Sequence, residues 1–345
     1  MTQGAVIGWD LGGAHVKLAP STAAGRLTHI AQHSCPLWKG IHQLDTVMTE
    51  LSAAFDLRHH RHALTMTGEL ADIFPNRRQG VHELLQHFLL HVDDTSVRVY
   101  SMSKGLRTVE YAGTNTADVA SANWHATATL VARQCPDALL LDVGSTTTDI
   151  ISVRRGKVDA RGRTDGERLR SGELLYSGVV RTPLIAVAEH IPFDGDWQTA
   201  AAELFATIGD VYILTGQLRP KHYQAPTADG AGVTPKECAR RLARMLGRDV
   251  TDEALATWQQ LAQYFAGVHA DMIRRAVERA LSRRPRTSTM PIVGAGCGRF
   301  LARAIARQLR RPYHDVAAFL RPPARLKEMA AICAPAVAVA RLLLP

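Results

Sequence analysis

Two segments of the chain place an aspartate at the end of an apolar stretch and a glycine two residues later. Asp10 is followed by Gly12 and Gly13, and Asp142 is followed by Gly144. A glycine turn exposes backbone N–H groups, which donate hydrogen bonds to phosphate oxygens. The carboxylate can hold Mg²⁺, which neutralises phosphate charge. Each segment therefore predicts a phosphate-binding loop in which Asp10 and Asp142 serve as metal ligands and catalytic residues.

A third glycine-rich segment strengthens this prediction, because either loop alone is a weak signal. Loop 1 (residues 10–17) and loop 2 (residues 142–149) are followed by glycines that open a helix near residue 300, where a flat or ribose-bearing group could approach closely. The residues predicted to bind phosphate or nucleotide are Gly12, Gly13, Gly144, Ser145, Thr146, Thr147, Gly294, Gly296 and Gly298.

The elements around the two loops repeat one design. Residues 5–10 and 138–142 predict buried strands, and residues 15–19 and 149–153 predict strands that return after each turn. Helical apolar spacing predicts helices over 44–55, 81–90, 255–280 and 328–343. The repeat indicates an α/β fold of two similar lobes, duplicated from one design, with a ligand cleft between them.

Composition is that of an ordinary globular protein. Of 345 residues, 46% are hydrophobic and 21% are charged, which excludes a disordered or coiled-coil chain. No apolar stretch approaches the length of a membrane span, and no secretory signal pattern is recognisable. Five cysteines form no CxxC pair, which fits a reducing compartment. We therefore expect a soluble, cytoplasmic protein without a membrane partner.

The chain is basic, with 41 Lys and Arg against 32 Asp and Glu, a formal net charge of +9. A basic surface attracts polyanions. Arginine pairs such as Arg240-Arg241 and Arg274-Arg275 fall on helical patterns, which is typical of solvated helix faces. Nucleic acid is therefore disfavoured and a phosphorylated small-molecule substrate is expected, while homo-oligomer formation is left open.

The ordered motifs resemble the two phosphate motifs and the adenosine motif of the sugar kinase/Hsp70/actin superfamily. Within it, residues 141–149 are similar to the Asp-Met-Gly-Gly-Thr-Ser-Thr-Asp loop of the hydantoinase A/oxoprolinase family. Five further segments resemble the branch of that family linked to tetrahydromethanopterin-dependent one-carbon transfer. They are residues 67–72, 122–127, 163–169, 171–174 and 209–212.

This resemblance implies a two-lobed actin-like/ribonuclease H-like fold. The first lobe would hold residues 1–120, the second lobe residues 121–327, and the C-terminal helix 328–345 would return to the first lobe. It also implies a transferase of methanofuran-type cofactor biosynthesis. Such an enzyme condenses an aminomethylfuran-methyl diphosphate with the phenol of γ-glutamyltyramine, or a tyrosine analogue, and releases diphosphate.

Loop 1 departs from the family pattern Asp-Val-Gly-Gly-Thr-Phe-Thr-Asp. Ala14 and Val16 replace two hydroxyl residues, and Lys17 replaces the second acid. A lysine at this position would suit a diphosphate leaving group, so Lys17 is predicted to be catalytic. The same exchange argues against a standard ATP-hydrolysing site. Mg²⁺, held by Asp10 and Asp142, is the expected cofactor. ATP binding is left open.

The attacking phenol needs a proton acceptor, because an unperturbed phenol has a pKa of about 10. Glu69, Asp72 and Asp149 are candidates that the sequence does not rank, with Glu69 and Asp149 predicted to be catalytic and Asp72 to contact the substrate. Arg168 is predicted to hold an acidic substrate tail, with a surface ion pair as the alternative.

Two other functions stay open at this point. One is an ATP-dependent small-molecule kinase or a hydantoinase/oxoprolinase-type amidohydrolase, which loop 2 and the third motif favour. The other is a non-catalytic nucleotide-binding regulator, which would bind its ligand without turnover.

Overall fold

The computed structural model describes residues 4–283 and 289–344, which form two compact units. Unit 1 comprises the described chain up to Ala138, the segment Val153–Asp159 and the described chain from Asp315 onward. Unit 2 comprises Leu139–Ser152 and the described residues between Ala160 and His314.

The described chain contains both strands and helices. The strands are β1 Val6–Leu11, β2 His15–Ser21, β3 Ala31–Ser34, β4 Arg61–Met66, β5 Val97–Ser101, β6 Gly105–Arg107, β7 Ala138–Val143, β8 Thr148–Arg154, β9 Lys157–Val158, β10 Leu174–Leu175, β11 His190–Phe193, β12 Asp196–Thr199, β13 Ile292–Ala295 and β14 Tyr313–Asp315. The helices are α1 His42–Ala54, α2 Arg77–Leu89, α3 Val109–Thr114, α4 Thr116–Val119, α5 Asn123–Ala132, α6 Asp165–Ser171, α7 Ile208–Leu214, α8 Pro235–Arg244, α9 Leu255–Leu281, α10 Arg299–Gln308, α11 Ala317–Leu320, α12 Lys327–Ile332 and α13 Ala334–Leu343.

Unit 1 is built on a six-stranded sheet in the order β3-β2-β1-β4-β5-β6. The central strand β1 pairs antiparallel with β2 and parallel with β4. Its side chains alternate between faces, as in any strand. Trp9 packs in the core with α1 and α2, whereas Gly8 contacts Ala336 and Ala340 of α13 on the other face. Asp10 therefore belongs to the α13 face of the sheet.

Unit 2 holds most of a six-stranded sheet, in which five strands follow the order β10-β8-β7-β13-β14 and β9 pairs with β8. The strand before loop 2, β7, lies between β8 and a parallel neighbour, β13. The long helix α9 buries Trp258, Phe265 and Ile273 in the core of this unit. Each predicted hairpin thus has a parallel strand beside its first strand, a shared feature that the sequence repeat did not predict.

Two predicted domain boundaries and one predicted helix differ from the structure. Unit 1 continues past residue 120 to Ala138, because α5 packs against α13 within that unit, and it resumes at Asp315 and not at residue 328. The single helix predicted over 328–343 is instead two helices, α12 and α13, separated at Cys333. Pro335 stands in the first turn of α13, and a proline, which has no backbone N–H, begins a helix more readily than it continues one.

The arginine pair on α8 is only half solvated. Arg240 lies on the surface, whereas Arg241 is 1% exposed. The Arg241 guanidinium donates to Asp210 at 2.7 and 3.0 Å and to Asp229 at 2.9 Å. The prediction of a solvated face is therefore wrong for Arg241. Within residues 4–283 and 289–344, no helix is long and apolar enough to cross a membrane.

Candidate functional site

Both loops close with the same backbone hydrogen bond. The Gly12 N–H donates to the carbonyl of His15 at 2.9 Å, and the Gly144 N–H donates to the carbonyl of Thr147 at 2.8 Å. A Cβ at Gly12 would lie 2.9 Å from that accepting oxygen, so a side chain there would disturb the turn. The duplication predicted from sequence therefore extends to the local geometry of each turn.

The carbonyl groups of loop 1 are occupied by a neighbouring segment. Gly13 O accepts from the Leu37 N–H at 3.0 Å, and Ala14 O accepts from the Cys35 N–H at 2.9 Å. The N–H groups of Gly13 and Ala14 have no acceptor in the part of the chain that the structure describes. A turn whose carbonyls are engaged and whose N–H groups are available presents partial positive charge, which suits an anion.

Loop 2 has the same distribution of donors and acceptors. Gly144 O accepts from the Val179 N–H at 2.9 Å, and Ser145 O accepts from the Val180 N–H at 3.0 Å. Among the described residues, no acceptor receives the N–H groups of Ser145 and Thr146. This arrangement fits the predicted phosphate-binding role of loop 2.

The segment behind loop 2 approaches it at Gly178. A Cβ at this glycine would lie 2.6 Å from atoms of Gly144, Ser145 and Thr146, a separation that real Cβ atoms do not show. Gly178 is not among the predicted site residues, because a lone glycine far from the loop along the chain gives no sign of its partner.

In unit 1 an ion pair stands at the strand end. Lys17 Nζ lies 3.0 Å from Asp10 Oδ2, where the antiparallel register places the two residues opposite each other. Thr65 is the partner of Asp10 on β4, so the three residues form one row across the sheet. Asp10 and Thr65 are buried, and the Lys17 side chain is 23% exposed.

Glu69 is brought close to loop 1 by its own segment. The glycine before it, Gly68, packs against backbone atoms of Leu11 and Gly12. Glu69 is 1% exposed, and its Oε1 accepts the Ser121 hydroxyl at 2.7 Å. Glu69 lies in segment 67–72, and Ser121 directly precedes segment 122–127. This hydrogen bond therefore links one segment that carries the family resemblance to the residue before another.

Ser121 holds an unusual backbone conformation for that contact. Its φ of 50° lies in the left-handed region, which costs about 1 kcal/mol or more for a non-glycine residue. The serine hydroxyl and the strained backbone are features that sequence reasoning missed, because φ cannot be read from residue type here.

In unit 2, the third glycine motif packs against loop 2. Gly296 has a φ of +81°, and a Cβ there would lie 2.2 Å from Val143 O and 2.6 Å from Asp142 Oδ1. Gly298 donates its N–H to Val143 O at 2.8 Å, and Gly294 packs against Tyr313. These glycines therefore hold the strand end that carries Asp142, and their contact with a nucleotide stays a prediction.

Three predicted site residues remain: Asp149, Arg168 and Asp72. Asp149 accepts from Arg168 Nη2 at 2.7 Å, and Arg168 is 1% exposed. Arg168 therefore lies in a buried ion pair, which the prediction of a substrate contact did not anticipate. Asp72 is exposed on a loop of unit 1. Its contact with substrate stays a prediction.

A buried histidine network lies beside loop 2. His269 Nε2 is 2.9 Å from the Ser177 hydroxyl, and His269 Nδ1 is 2.8 Å from the Tyr212 hydroxyl. Burial lowers the pKa of His269 to about 4, so the ring is neutral at neutral pH. Of this network, only Tyr212 lies in a segment singled out from the sequence, residues 209–212. His269 lies on the buried face of α9, where the sequence pattern indicates only core packing.

The two predicted metal ligands differ in how well they suit Mg²⁺. Asp10 has one oxygen at the Lys17 ammonium and the other buried without a partner among the described residues. Asp142 is partly exposed at the end of β7. Across residues 4–283 and 289–344, no group of three or more His, Cys, Asp and Glu side chains is placed to hold a metal ion. Asp142 therefore fits a water-mediated Mg²⁺ contact better than Asp10 does.

Comparisons with known proteins cover most of the chain. A family model described as hydantoinase/oxoprolinase matches residues 60–343. A curated protein of Methanocaldococcus jannaschii, named (4-{4-[2-(gamma-L-glutamylamino)ethyl]phenoxymethyl}furan-2-yl)methanamine synthase, is 31% identical over 295 residues, which cover 84% of this chain and 86% of that protein. A protein of the same name from Methanococcus vannielii is 32% identical over 143 residues, 41% of this chain and 64% of that protein.

The solved structures include the nucleotide-free acetone carboxylase, from work on ATP-dependent acetone carboxylation. It superposes with a TM-score of 0.53 at 8% identity, covering 86% of this chain and 66% of that chain. At this identity the likeness concerns the fold alone. The predicted two-lobed, actin-like α/β fold is confirmed.

Proposed function

The chain belongs to the hydantoinase/oxoprolinase family, and on that premise we propose that it is a transferase of methanofuran-type cofactor biosynthesis. Its substrates would be an aminomethylfuran-methyl diphosphate and the phenol of γ-glutamyltyramine or a tyrosine analogue. The reaction would belong to the one-carbon metabolism that uses tetrahydromethanopterin. The similarity to a synthase over 84% of the chain is the observation that carries this proposal.

The product named for the two relatives contains a phenoxymethyl group on a furan ring, which is an aryl–alkyl ether. We propose that this ether forms by displacement of diphosphate. The bond between the furylmethyl carbon and the diphosphate oxygen breaks, and its electron pair leaves with the diphosphate. The phenol oxygen forms the new bond to that carbon and loses its proton. The furan oxygen can stabilise positive charge on the carbon while the bond breaks.

Loop 1 is suited to the leaving group. Its turn offers the N–H groups of Gly13 and Ala14, and the partly exposed Lys17, which is paired with Asp10, adds an ammonium donor. Negative charge grows on the diphosphate as the bond breaks, so fixed donors and an ammonium favour the transition state over the ground state. In unit 2, the N–H groups of Ser145 and Thr146 have the same chemical character.

We assign the phenol proton to Glu69. Asp149 is already engaged in an ion pair with the buried guanidinium of Arg168. Glu69 lies on a segment that packs directly against loop 1, and its Ser121 contact fixes the orientation of the carboxylate. In unit 2, Asp142 would hold Mg²⁺, which when bound would neutralise part of the phosphate charge. ATP binding stays an open question.

The test is a measurement of phosphate and diphosphate release by the purified chain with Mg²⁺. One reaction contains ATP alone, and the other contains the furan diphosphate with and without γ-glutamyltyramine. We expect diphosphate release that depends on the phenol, no ATP turnover, and an ether product detectable by mass spectrometry.

Other outcomes would support the alternatives. ATP turnover with an inert furan diphosphate would point to a kinase or, with a cyclic amide, to an amidohydrolase. Binding of ATP without any turnover would point to a regulator. Each of these results would contradict the proposed transferase.

A further inference from the structure

We propose that Lys17 takes the place of a metal ion at loop 1, so that this loop binds a metal-free diphosphate rather than the magnesium complex of a nucleotide. Asp10 is then a positioning residue that anchors the ammonium, and is not a metal ligand. This inference rests on the proposed function only for the identity of the phosphorylated group. It revises the metal-ligand role that the sequence predicts for Asp10.

Asp10, Thr65 and Lys17 form one row across the unit 1 sheet, and of the three only Lys17 is partly exposed to solvent. Asp10 is 1% exposed and Thr65 is fully buried, whereas 23% of the Lys17 side chain is exposed. The register of β1 with β2 and β4 places all three at one level on the same face of the sheet. An anion that approaches this row from solvent therefore meets the ammonium before the carboxylate.

Neither oxygen of Asp10 is placed for a hydrated metal ion. Oδ2 is 3.0 Å from Lys17 Nζ, and a divalent cation bound to the same oxygen would be repelled by the ammonium at short range. Oδ1 is buried and has no partner among the described residues. Magnesium keeps several of its waters and needs an oxygen that those waters can surround. A buried oxygen does not allow this.

The charge at loop 1 follows from this arrangement. The Asp10–Lys17 pair is neutral, and the donors available to a ligand are the Lys17 ammonium and the N–H groups of Gly13 and Ala14. These donors bind phosphate oxygens directly and do not need a bridging cation. Loop 1 is therefore matched to a bare diphosphate.

The first experiment uses inorganic diphosphate as the probe and the full chain, by isothermal titration calorimetry in EDTA and in excess Mg²⁺. We expect binding in EDTA, and Lys17→Met weakens it by about tenfold or more, the usual loss when a charge-assisted hydrogen bond is removed. Lys39→Met is the matched control, because Lys39 is exposed near the same loop, two residues after the Leu37 contact with Gly13. It should bind as the wild type does.

The second experiment measures Mn²⁺ binding by electron paramagnetic resonance for the wild type and Asp10→Asn. Unchanged Mn²⁺ affinity, or no Mn²⁺ binding by either protein, supports the assignment. A loss of about tenfold or more in Asp10→Asn overturns it, since even a partner that only orients a metal ligand costs about that much when it is removed. Diphosphate binding that requires Mg²⁺, or equal affinities for Lys17→Met and Lys39→Met, also overturns it.

Failure of this inference is distinguishable from failure of the proposed function. The binding assays contain no furan and no phenol, so they report on loop 1 whatever reaction the chain catalyses. Metal-independent diphosphate binding without ether formation would reject the transferase alone. If Lys17→Met does not fold, the titrations of the wild type in EDTA and in excess Mg²⁺ still show whether the chain binds free diphosphate or only its magnesium complex.

Discussion

Arg168 donates from Nη2 to Asp149 Oδ1 at 2.7 Å, and only 2% of the arginine side chain is exposed. The same nitrogen donates to the Glu173 carbonyl at 3.2 Å. Thr164 and Glu167 begin α6 with a capping box, which fixes the helix that carries the arginine. The resemblance segments 163–169 and 171–174 therefore serve to fasten the strand that returns from loop 2.

Replacement of Arg168 by Met should be strongly destabilising. The change leaves the Asp149 carboxylate unpaired in a mostly buried position, and breaking a buried ion pair costs about 3–5 kcal/mol. The free energy of unfolding in urea measures this loss. Arg170→Met, on the exposed face of the same helix, is the control and should change it by less than about 1 kcal/mol. Similar values for the two variants would contradict the structural role of Arg168.

Gly178→Ala should distort loop 2 without a comparable disturbance of the rest of the fold. The added methyl group would lie 2.6 Å from backbone atoms of loop 2, so the loop must move. We expect kcat/KM for diphosphate release to fall by about 100-fold, as is usual when oriented donors are displaced. Gly166→Ala serves as the control, since its Cβ would meet nothing within 4 Å. Activity of Gly178→Ala at the control level would show that loop 2 takes no part.

The sequence predicts the turns well because their chemistry is local. Asp10, Gly12 and Gly13 are adjacent, and so are Asp142 and Gly144, so strand end and turn are read from one short stretch. The groups that engage the loop carbonyls are distant along the chain. Nothing local in Leu37 or Val179 indicates that its N–H meets a loop carbonyl, because that contact depends on tertiary packing.

The partners of charged residues likewise could not be predicted from the local sequence. Lys17 could be judged only by its departure from a family pattern, which did not reveal its ion pair with Asp10. Arg168 and Arg241 both read as surface or substrate-binding arginines, and both are buried with aspartates. A buried charge is stable only with a partner, and the partner of each is supplied by a separate element of unit 2.

Stability should fall on acidification because of buried histidines. Burial lowers the pKa of His269 from 6.5 to about 4. Between these values the unfolded chain binds a proton that the folded chain excludes, so the free energy of unfolding decreases as pH falls through that window. The contribution of His269 is about 3 kcal/mol, lost progressively from about pH 6.5 down to about pH 4.

Urea unfolding at a series of pH values tests this contribution. His269→Gln removes the titrating ring and should flatten the dependence of unfolding free energy on pH in this window, although its stability at neutral pH is lower. His59→Gln is the control, because its side chain is 84% exposed. An equally steep dependence in His269→Gln and the wild type would mean that other groups account for the acid effect.

Glu69→Gln should abolish most of the turnover while preserving the fold. Glutamine keeps an oxygen that can accept the Ser121 hydroxyl, but it cannot take the phenol proton at neutral pH. We expect kcat to fall by about 100-fold or more, the usual contribution of a general base, with little change in KM. The acidic limb of the pH profile of kcat/KM should disappear with the carboxylate.

Two further variants separate proton transfer from orientation. Ser121→Ala keeps the base but removes the hydroxyl that orients it, so kcat should fall less than in Glu69→Gln and the acidic limb should remain. Glu110→Gln removes an exposed carboxylate of unit 1 and should leave both parameters unchanged. If Glu69→Gln behaves like Glu110→Gln, the proton goes to another acceptor. Asp72 then becomes the candidate, because Asp149 is already engaged by Arg168.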